Sequence, residues 1–290
     1  MRRVAFATCK VLPEPDVDEE LLLSACREAG IEAEMAGWDD PSVHWSSYSM
    51  VVVRSTWNYH LSPSKFCDWI EHVNSVSLLL NPARMMLGNI HKGYLLELER
   101  QGIPIVPTRI ISKGERVKGK GKSMPWLRSL LEETGWKKFV IKPAVSAASY
   151  MTYSFSCDEI DLAQTFLDEM VAGRDAMVQE FVSGGEVALV HINGVLTHAV
   201  EKYARFADGV ESVSSVASVP SGAQQDLAAR AMSCVEPGWL YARVDVMQDA
   251  AGRWLLSELE LIEPSLFLLQ KPEALRSFLE SIATRLVSGK

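Results

Sequence analysis

Two runs of alternating side-chain character near the end of the chain constrain its fold more than any other feature. They are Tyr241-Ala242-Arg243-Val244-Asp245-Val246-Met247 and Arg253-Trp254-Leu255-Leu256-Ser257-Glu258-Leu259-Glu260-Leu261, joined by a turn at Gln248 to Gly252. A period of two belongs to β-strands, whose successive side chains point to opposite faces. A turn over residues 249–252 pairs 248 with 253 and 243 with 258. Residues 241, 243 and 245 then share a face with 256, 258 and 260, and that face gathers Arg243, Asp245, Glu258 and Glu260. The opposite face carries Val244, Val246, Leu255, Leu259 and Leu261, an apolar surface for a core.

Carboxylates converging on one sheet face repel each other, and a solvated face usually interleaves cations to relieve this. Hard oxygens brought together suit Mg2+, which takes one or two carboxylates together with substrate phosphates. A solvated acidic hairpin is the alternative for these residues taken alone. Upstream cations weigh against it. Phe139-Val140-Ile141-Lys142-Pro143 puts a lysine at the end of a buried strand, where it needs an anionic partner. Small residues follow, Ala144-Val145-Ser146-Ala147-Ala148-Ser149, and then a return strand. Such a loop lets backbone N–H groups and hydroxyls such as that of Ser146 approach phosphate, although plain hairpin turns look the same. Lys92 is expected on a helix over about 89–101, which Gly102 ends.

The first ~100 residues alternate strand and helix, the pattern of a parallel α/β sheet. Val4 to Thr8, Ile31 to Met35, Met50 to Val53 and Leu78 to Leu80 read as strands. Helices are expected over Asp18 to Ala29 and from Ser62-Pro63, the latter with Phe66, Trp69, Ile70 and Val73 inward. Further on, strands over Phe139 to Lys142, Tyr150 to Phe155 and Met177 to Val182 surround a helix over Asp158 to Met170. Asn193-Gly194, between two alternating runs, is the strongest short hairpin signal. The second half is therefore α+β with antiparallel sheet. We expect three lobes, over residues 1–106, 107–183 and 184–290. The Gly- and Lys-rich stretch 113–122 reads as a mobile surface loop with little functional weight.

A net charge of −8 disfavours a generic nucleic-acid binder, which needs a basic footprint. Five widely spaced cysteines without a CxxC pattern fit neither a disulfide framework nor a zinc site. The six histidines show no metal-ligand spacing. No apolar run approaches a membrane span, and the basic start lacks the apolar stretch of a signal peptide. A soluble cytoplasmic protein is expected.

The order of the parts carries more than any one of them. Lys92, then Phe139-Val140-Ile141-Lys142-Pro143, then Gln179-Glu180-Phe181-Val182-Ser183-Gly184-Gly185-Glu186, then Asp245, then Glu258-Leu259-Glu260 resembles the ATP-grasp superfamily over roughly residues 85–265. The resemblance implies an N-terminal parallel lobe and two α+β lobes that clamp ATP with Mg2+, two ions in the expected arrangement. Lys92 and Lys142 would contact the phosphates, and Glu180, Phe181 and Val182 the adenine edge. Glu186 would bond the ribose hydroxyls, while Asp245, Glu258 and Glu260 hold the metal. Arg243, with Lys202 and Arg205, would be the catalytic cations. A residue 208–215 stretch with Gly and Ser would close over substrate. The covering loop has alanine and serine where the family usually has glycine, and Glu260 stands where it often has asparagine.

ATP-grasp enzymes mostly phosphorylate a carboxylate and let a nucleophile, usually an amine, attack the acyl phosphate, so an ATP-dependent C–N ligase is implied. Substrate groups are expected at the ends of the first-lobe strands. Arg54 would clamp a carboxylate, beside Ser55, with Trp57 or Tyr59 as a wall. Glu263 and Ser265 form a second set, with Glu263 meeting an ammonium group or capping the local turn. Arg54-Ser55-Thr56-Trp57-Asn58-Tyr59 together with Glu258-Leu259-Glu260-Leu261-Ile262-Glu263-Pro264-Ser265 resembles a narrower ATP-grasp group that includes the O-ureido-serine cyclo-ligase of cycloserine formation. The implied partner is a small amino-acid-like substrate, and a homodimer is a family-level expectation. An intermolecular dipeptide- or glutathione-forming ligase and a non-catalytic ATP-binding module are the alternatives.

Overall fold

The computed structural model describes residues 2–115, 126–203 and 212–288. The first sheet joins β1 (Arg3–Thr8), β2 (Glu32–Gly37), β3 (Met50–Ser55) and β4 (Leu78–Leu80) in the order β2-β1-β3-β4, all parallel. α1 (Glu19–Glu28) connects β1 to β2 and ends at Gly30, whose φ of +70° suits glycine. α2 (Pro63–Val76) buries Phe66, Trp69, Ile70 and Val73, as its spacing predicts. Both faces of the sheet are covered. Ala5, Ala7, Val51 and Val53 pack against α2, while Val4, Phe6, Met50 and Val52 face residues from the C-terminal part of the chain.

The helix expected over 89–101 begins only at Tyr94, as α4 (Tyr94–Arg100), five residues after α3 (Ala83–Asn89) has ended. Between them the Lys92 amide donates to the Ala144 carbonyl at 2.8 Å, a bond outside any helical ladder. Lys92 therefore sits in a break and not on a helix.

The second sheet is antiparallel, in the order β5-β8-β6-β7, from β5 (Thr108–Ile111), β6 (Lys138–Pro143), β7 (Tyr153–Ser156) and β8 (Ala176–Glu180). α5 (Trp126–Thr134) and α6 (Ile160–Gly173) share its core with Phe139, Ile141 and Val178. β7 starts three residues later than expected. Ala148, Ser149 and Met151 take left-handed φ values of 50°, 55° and 50°, so the chain turns where an extended strand was expected. The stretch 116–125, most of the Lys-rich loop, lies outside the described residues.

The third sheet runs β10-β9-β11-β12, with β9 (Glu186–Ile192), β10 (Val195–Lys202), β11 (Tyr241–Gln248) and β12 (Trp254–Glu260), all antiparallel. Asn193 and Gly194 carry the positive φ values, 48° and 88°, of a tight hairpin. α7 (Gly222–Ser233) covers one face, and α8 (Pro272–Ser288) packs between this sheet and the first.

The β11–β12 register corrects the expected one. Asp249 and Arg253 close a three-residue turn with left-handed Gly252 (φ 80°), so Gln248 pairs with Trp254 and Val246 with Leu256. A bulge at Ser257 then shifts the ladder, pairing Asp245 with Glu258 and Arg243 with Glu260. The odd turn and the extra residue each move the register by one. Together they restore the expected face for Arg243, Asp245, Glu258 and Glu260. Above the bulge they do not: Leu256 joins Val244, Val246, Leu259 and Leu261 in the core, whereas Leu255 packs with Val106, Val182 and Met247.

β12 is an edge strand, and the N-terminal half of the chain caps its free side. Leu256 bonds Pro104 and Val106 through their backbones. The Tyr94 hydroxyl accepts the Leu259 amide at 3.0 Å. Asn89 donates to the Leu259 carbonyl at 2.9 Å and accepts the Leu261 amide at 3.0 Å. Asn81 donates to the Leu261 and Tyr241 carbonyls, both at 2.8 Å.

Candidate active site

A cavity of about 400 Å³ lies where the three sheets meet. Its floor comes from β11 and β12, through Arg243, Ser257, Glu258 and Glu260. Lys92, Tyr94 and Lys142 enter from one side, and Trp57 and Tyr59 from the first sheet. The loop 146–149 and the connection 179–185 close the remainder.

The face is neither a solvated surface nor a bare acidic cluster. Lys142 reaches Glu258 at 2.7 Å, and Lys92 reaches the other oxygen of the same carboxylate at 3.1 Å. Lys202, at the end of β10, holds Asp245 at 2.7 Å and Glu186 at 3.3 Å. Arg243 makes a bidentate pair with Asp245 (2.8 and 2.9 Å) and reaches Glu260 at 2.5 Å. Four cations, each from a different segment, thus neutralise four carboxylates.

Burial raises carboxyl pKa values, and cations lower them. At Glu258 burial is overcome by Lys142 and Lys92, which hold it well below the usual range. Burial of Asp245 is likewise outweighed by Arg243 and Lys202, and its pKa is lowered. Glu260 differs. Burial, with Asp245 and Glu258 nearby, pushes it up to about 7 despite Arg243. Glu263 is pushed up to about 8, by burial first and then by Glu260. Lys92 and Lys202 are raised, because Glu258 and Asp245 respectively outweigh their burial.

The strand after Gln179 leaves its sheet at this cavity. The ladder ends at Glu180, the Phe181 amide donates to Lys138 at 3.0 Å, and Val182 continues past both neighbours. Gly184 lies against the β11 end, where a Cβ atom would stand 1.9 Å from the Gln248 carbonyl oxygen.

Comparison with known proteins places this geometry. Residues 4–81 match a family model described as the N-terminal domain of D-cycloserine synthetase DcsG. The cycloserine biosynthesis protein DcsG of Streptomyces lavendulae is 28% identical over 300 residues, 98% of each chain. The crystal structure of D-cycloserine synthetase DcsG superposes with a TM-score of 0.87 at 29% identity, covering 98% of this chain and 99% of that one. The ATP-grasp ligase PsnB, in a complex with Mg and ADP, shares the fold at a TM-score of 0.60 and 16% identity, over 96% and 99% of the two chains. The chain is an ATP-grasp ligase.

As such, the ligase couples ATP to formation of a C–N bond. Among the described residues no three carboxylate, thiol or imidazole side chains converge closely enough to cage an ion by themselves. The donor set nevertheless fits magnesium. Glu258 and Glu260 present hard oxygens to the cavity, and Mg2+ needs only one or two carboxylates besides phosphate and water. Asp245 lies directly behind them, fully buried.

The ligase brings together most of the residues singled out by sequence. Lys92, Lys142, Ser146, Glu180, Phe181, Val182, Glu186, Lys202, Arg243, Glu258, Glu260, Trp57, Glu263 and Ser265 all line the cavity. Two do not. Arg54 is 1% exposed, behind the wall, where it donates to the Pro264 carbonyl at 3.1 Å. It is too deeply buried to clamp a substrate carboxylate. Ser55 is also buried and donates to Thr8 at 2.8 Å. Arg205 and residues 208–211 of the expected closing stretch lie outside the described residues. Tyr94 and Asn89 line the cavity without having been singled out. Their only sequence signal is a polar group inside an apolar helical stripe. No helix of the described residues is long and apolar enough to cross a membrane.

Proposed function

We propose that the ligase phosphorylates the carboxylate of a small amino-acid derivative and closes the derivative's own nitrogen onto it, as in conversion of O-ureido-serine to a cycloserine ring. The observation that carries this reading is the full-length likeness to DcsG, which includes residues 4–81, the lobe that supplies Trp57 and Tyr59 to the cavity. In the first step a carboxylate oxygen of the substrate attacks the γ-phosphorus, and the bond from that phosphorus to ADP breaks. In the second the substrate nitrogen attacks the acyl carbon. Phosphate departs with the bonding pair and takes up the nitrogen's proton; in O-ureido-serine that nitrogen also carries a carbamoyl group, which water removes as carbon dioxide and ammonia to leave the cycloserine ring. The protein's part is positioning and charge neutralisation, with no covalent intermediate on a side chain.

Lys92 and Lys142 are assigned to the nucleotide phosphates, exchanging part of their grip on Glu258 for phosphate oxygens. Ser146 and the backbone of its loop cover the phosphates. The backbone over Glu180, Phe181 and Val182 meets the adenine edge, and Glu186 the ribose. Glu258 and Glu260 are the residues that would hold Mg2+, two ions in our reading, with Asp245 joining them by exchanging its ion pair to Lys202 for the metal, which supplies charge neutralisation for the phosphates. Arg243 and Lys202 face the transferring group, Glu263 and Ser265 the amino-acid part, and Arg205 is assigned to the catalytic cations from the sequence alone.

Incubation with MgATP and O-ureido-serine should release ADP and phosphate and give a ring product by mass spectrometry. Tight ATP binding without ADP release across a panel of amino acids would instead support a binding module. Release that needs two different amino acids would support an intermolecular ligase.

A further inference from the structure

The segment 262–269 follows the catalytic hairpin, has almost no regular structure, and is nearly all buried. A buried irregular segment is costly unless its backbone polar groups find partners. Here side chains supply them in an unbroken series. The Tyr241 hydroxyl lies 2.7 Å from the Ile262 carbonyl, shared with that of Val53. Trp57 Nε1 donates to the Glu263 carbonyl at 3.0 Å, and Arg54 Nη1 to Pro264 at 3.1 Å. Arg243 Nη1 donates to Ser265 at 3.2 Å, and His198 Nε2 lies 3.1 Å from the Leu266 carbonyl. The Leu268 and Leu269 amides then converge on the Asp18 carboxylate at 3.0 to 3.2 Å. Five consecutive carbonyls are gripped by five side chains.

The grip comes from both halves of the molecule. Trp57 and Arg54 belong to the N-terminal lobe, on either side of the end of β3, whereas Tyr241 and Arg243 belong to β11. What the segment shows to the cavity is Ile262, Glu263 and Ser265. Glu263 is an acceptor set among the cations and carboxylates of the site, and Trp57 supplies the adjacent wall. A carboxylate and a hydroxyl on an immobilised backbone are the groups that hold an ammonium at a defined point.

On the proposed reading of the site, we infer that Trp57 and Arg54 are positioning residues for the amino-acid side of the reaction. They act through the Glu263 and Pro264 carbonyls to fix Glu263 and Ser265 against the substrate's ammonium group. The nucleotide side is held by other elements, around β6 and the connection after β8, so the two substrates respond separately to loss of this grip. Arg54 therefore serves the substrate indirectly, through the backbone it holds.

Trp57→Phe keeps an aromatic wall and removes one N–H donor. We expect the KM for O-ureido-serine to rise about tenfold, with kcat and the KM for ATP within twofold of the parent. In a Glu263→Gln background the same change should add no more than twofold, since residues acting through one another are not additive. Arg54→Lys, which keeps charge and one donor, should fall between parent and Arg54→Met. The affinity for serine, by calorimetry with the non-hydrolysable analogue AMPPNP present, gives the same comparison without turnover. A parent that releases ADP with no amino-acid derivative but binds serine, with weakened binding in Trp57→Phe, sinks the ligase reading and leaves this inference standing. Parallel rises in the KM of both substrates overturn the inference, as do an unchanged Trp57→Phe variant, additive effects with Glu263→Gln, or a parent that binds no serine.

Discussion

Replacing Asn89 with leucine tests whether the edge of β12 depends on side-chain pairing. Asn89 gives the strand both halves of a neighbour's bonding, an N–H to the Leu259 carbonyl and an oxygen to the Leu261 amide. Leucine has a similar volume and supplies neither. Each buried backbone group left without a partner costs about 1–3 kcal/mol, so two cost about 2–6 kcal/mol. Burying the leucine side chain offsets about 1–2 kcal/mol of that. A net loss of about 3 kcal/mol corresponds, for a chain of this size, to a fall in Tm of roughly 6–12 °C. Differential scanning fluorimetry of parent and variant reads this directly. Glu260 lies between the two orphaned groups, so turnover should fall at least tenfold as its carboxylate loses its fixed station. A Tm within 2 °C of the parent together with a kcat within twofold would refute the reasoning, because the edge would then be held by something else.

Glu258→Gln removes the charge that Lys92 and Lys142 share, and ADP release should fall at least about a hundredfold; an unaffected variant removes the metal assignment. Gly184→Ala must displace the Gln248 carbonyl, whereas a Cβ at Gly185 meets nothing within 4 Å. The first should raise the KM for ATP roughly tenfold and the second leave it unchanged, and equal effects would show that the contact is immaterial. Glu263→Gln addresses pH. The folded carboxyl is raised from 4.5 to about 8, so between those values the unfolded chain ionises first and stability falls as pH rises. In protein free of nucleotide and metal, urea midpoints at pH 5 and pH 8 should differ less in Glu263→Gln than in the parent; an unchanged difference would mean that Glu263 titrates normally.

The first sheet was legible because parallel strands buried on both faces leave unbroken apolar runs, as in Met50 to Val53. The site was legible where a charge is out of place, as with Lys142 at a strand end. Sequence spacing failed where tertiary bonds override local preference. The helical pattern around Lys92 continues through a break that an amide bond to Ala144 creates from another part of the chain. Arg54 has the composition of a substrate clamp, and only the path of residues 262–269 shows that its partner is a backbone carbonyl. Asn81, Asn89 and Tyr94 make their contacts with β12 across more than 160 residues of sequence, beyond any local pattern.

The bulge at Ser257 divides the hairpin into two segments of opposite phase. The tip above it is free to change length by one residue, provided the irregularity is lost in the same step. A relative with a tip one residue longer or shorter and an unbroken ladder would present the same carboxylates to the same cavity. The site's alignment is thus set at the root of the hairpin, by the side chains that cap β12, and its tip can drift without disturbing the chemistry below.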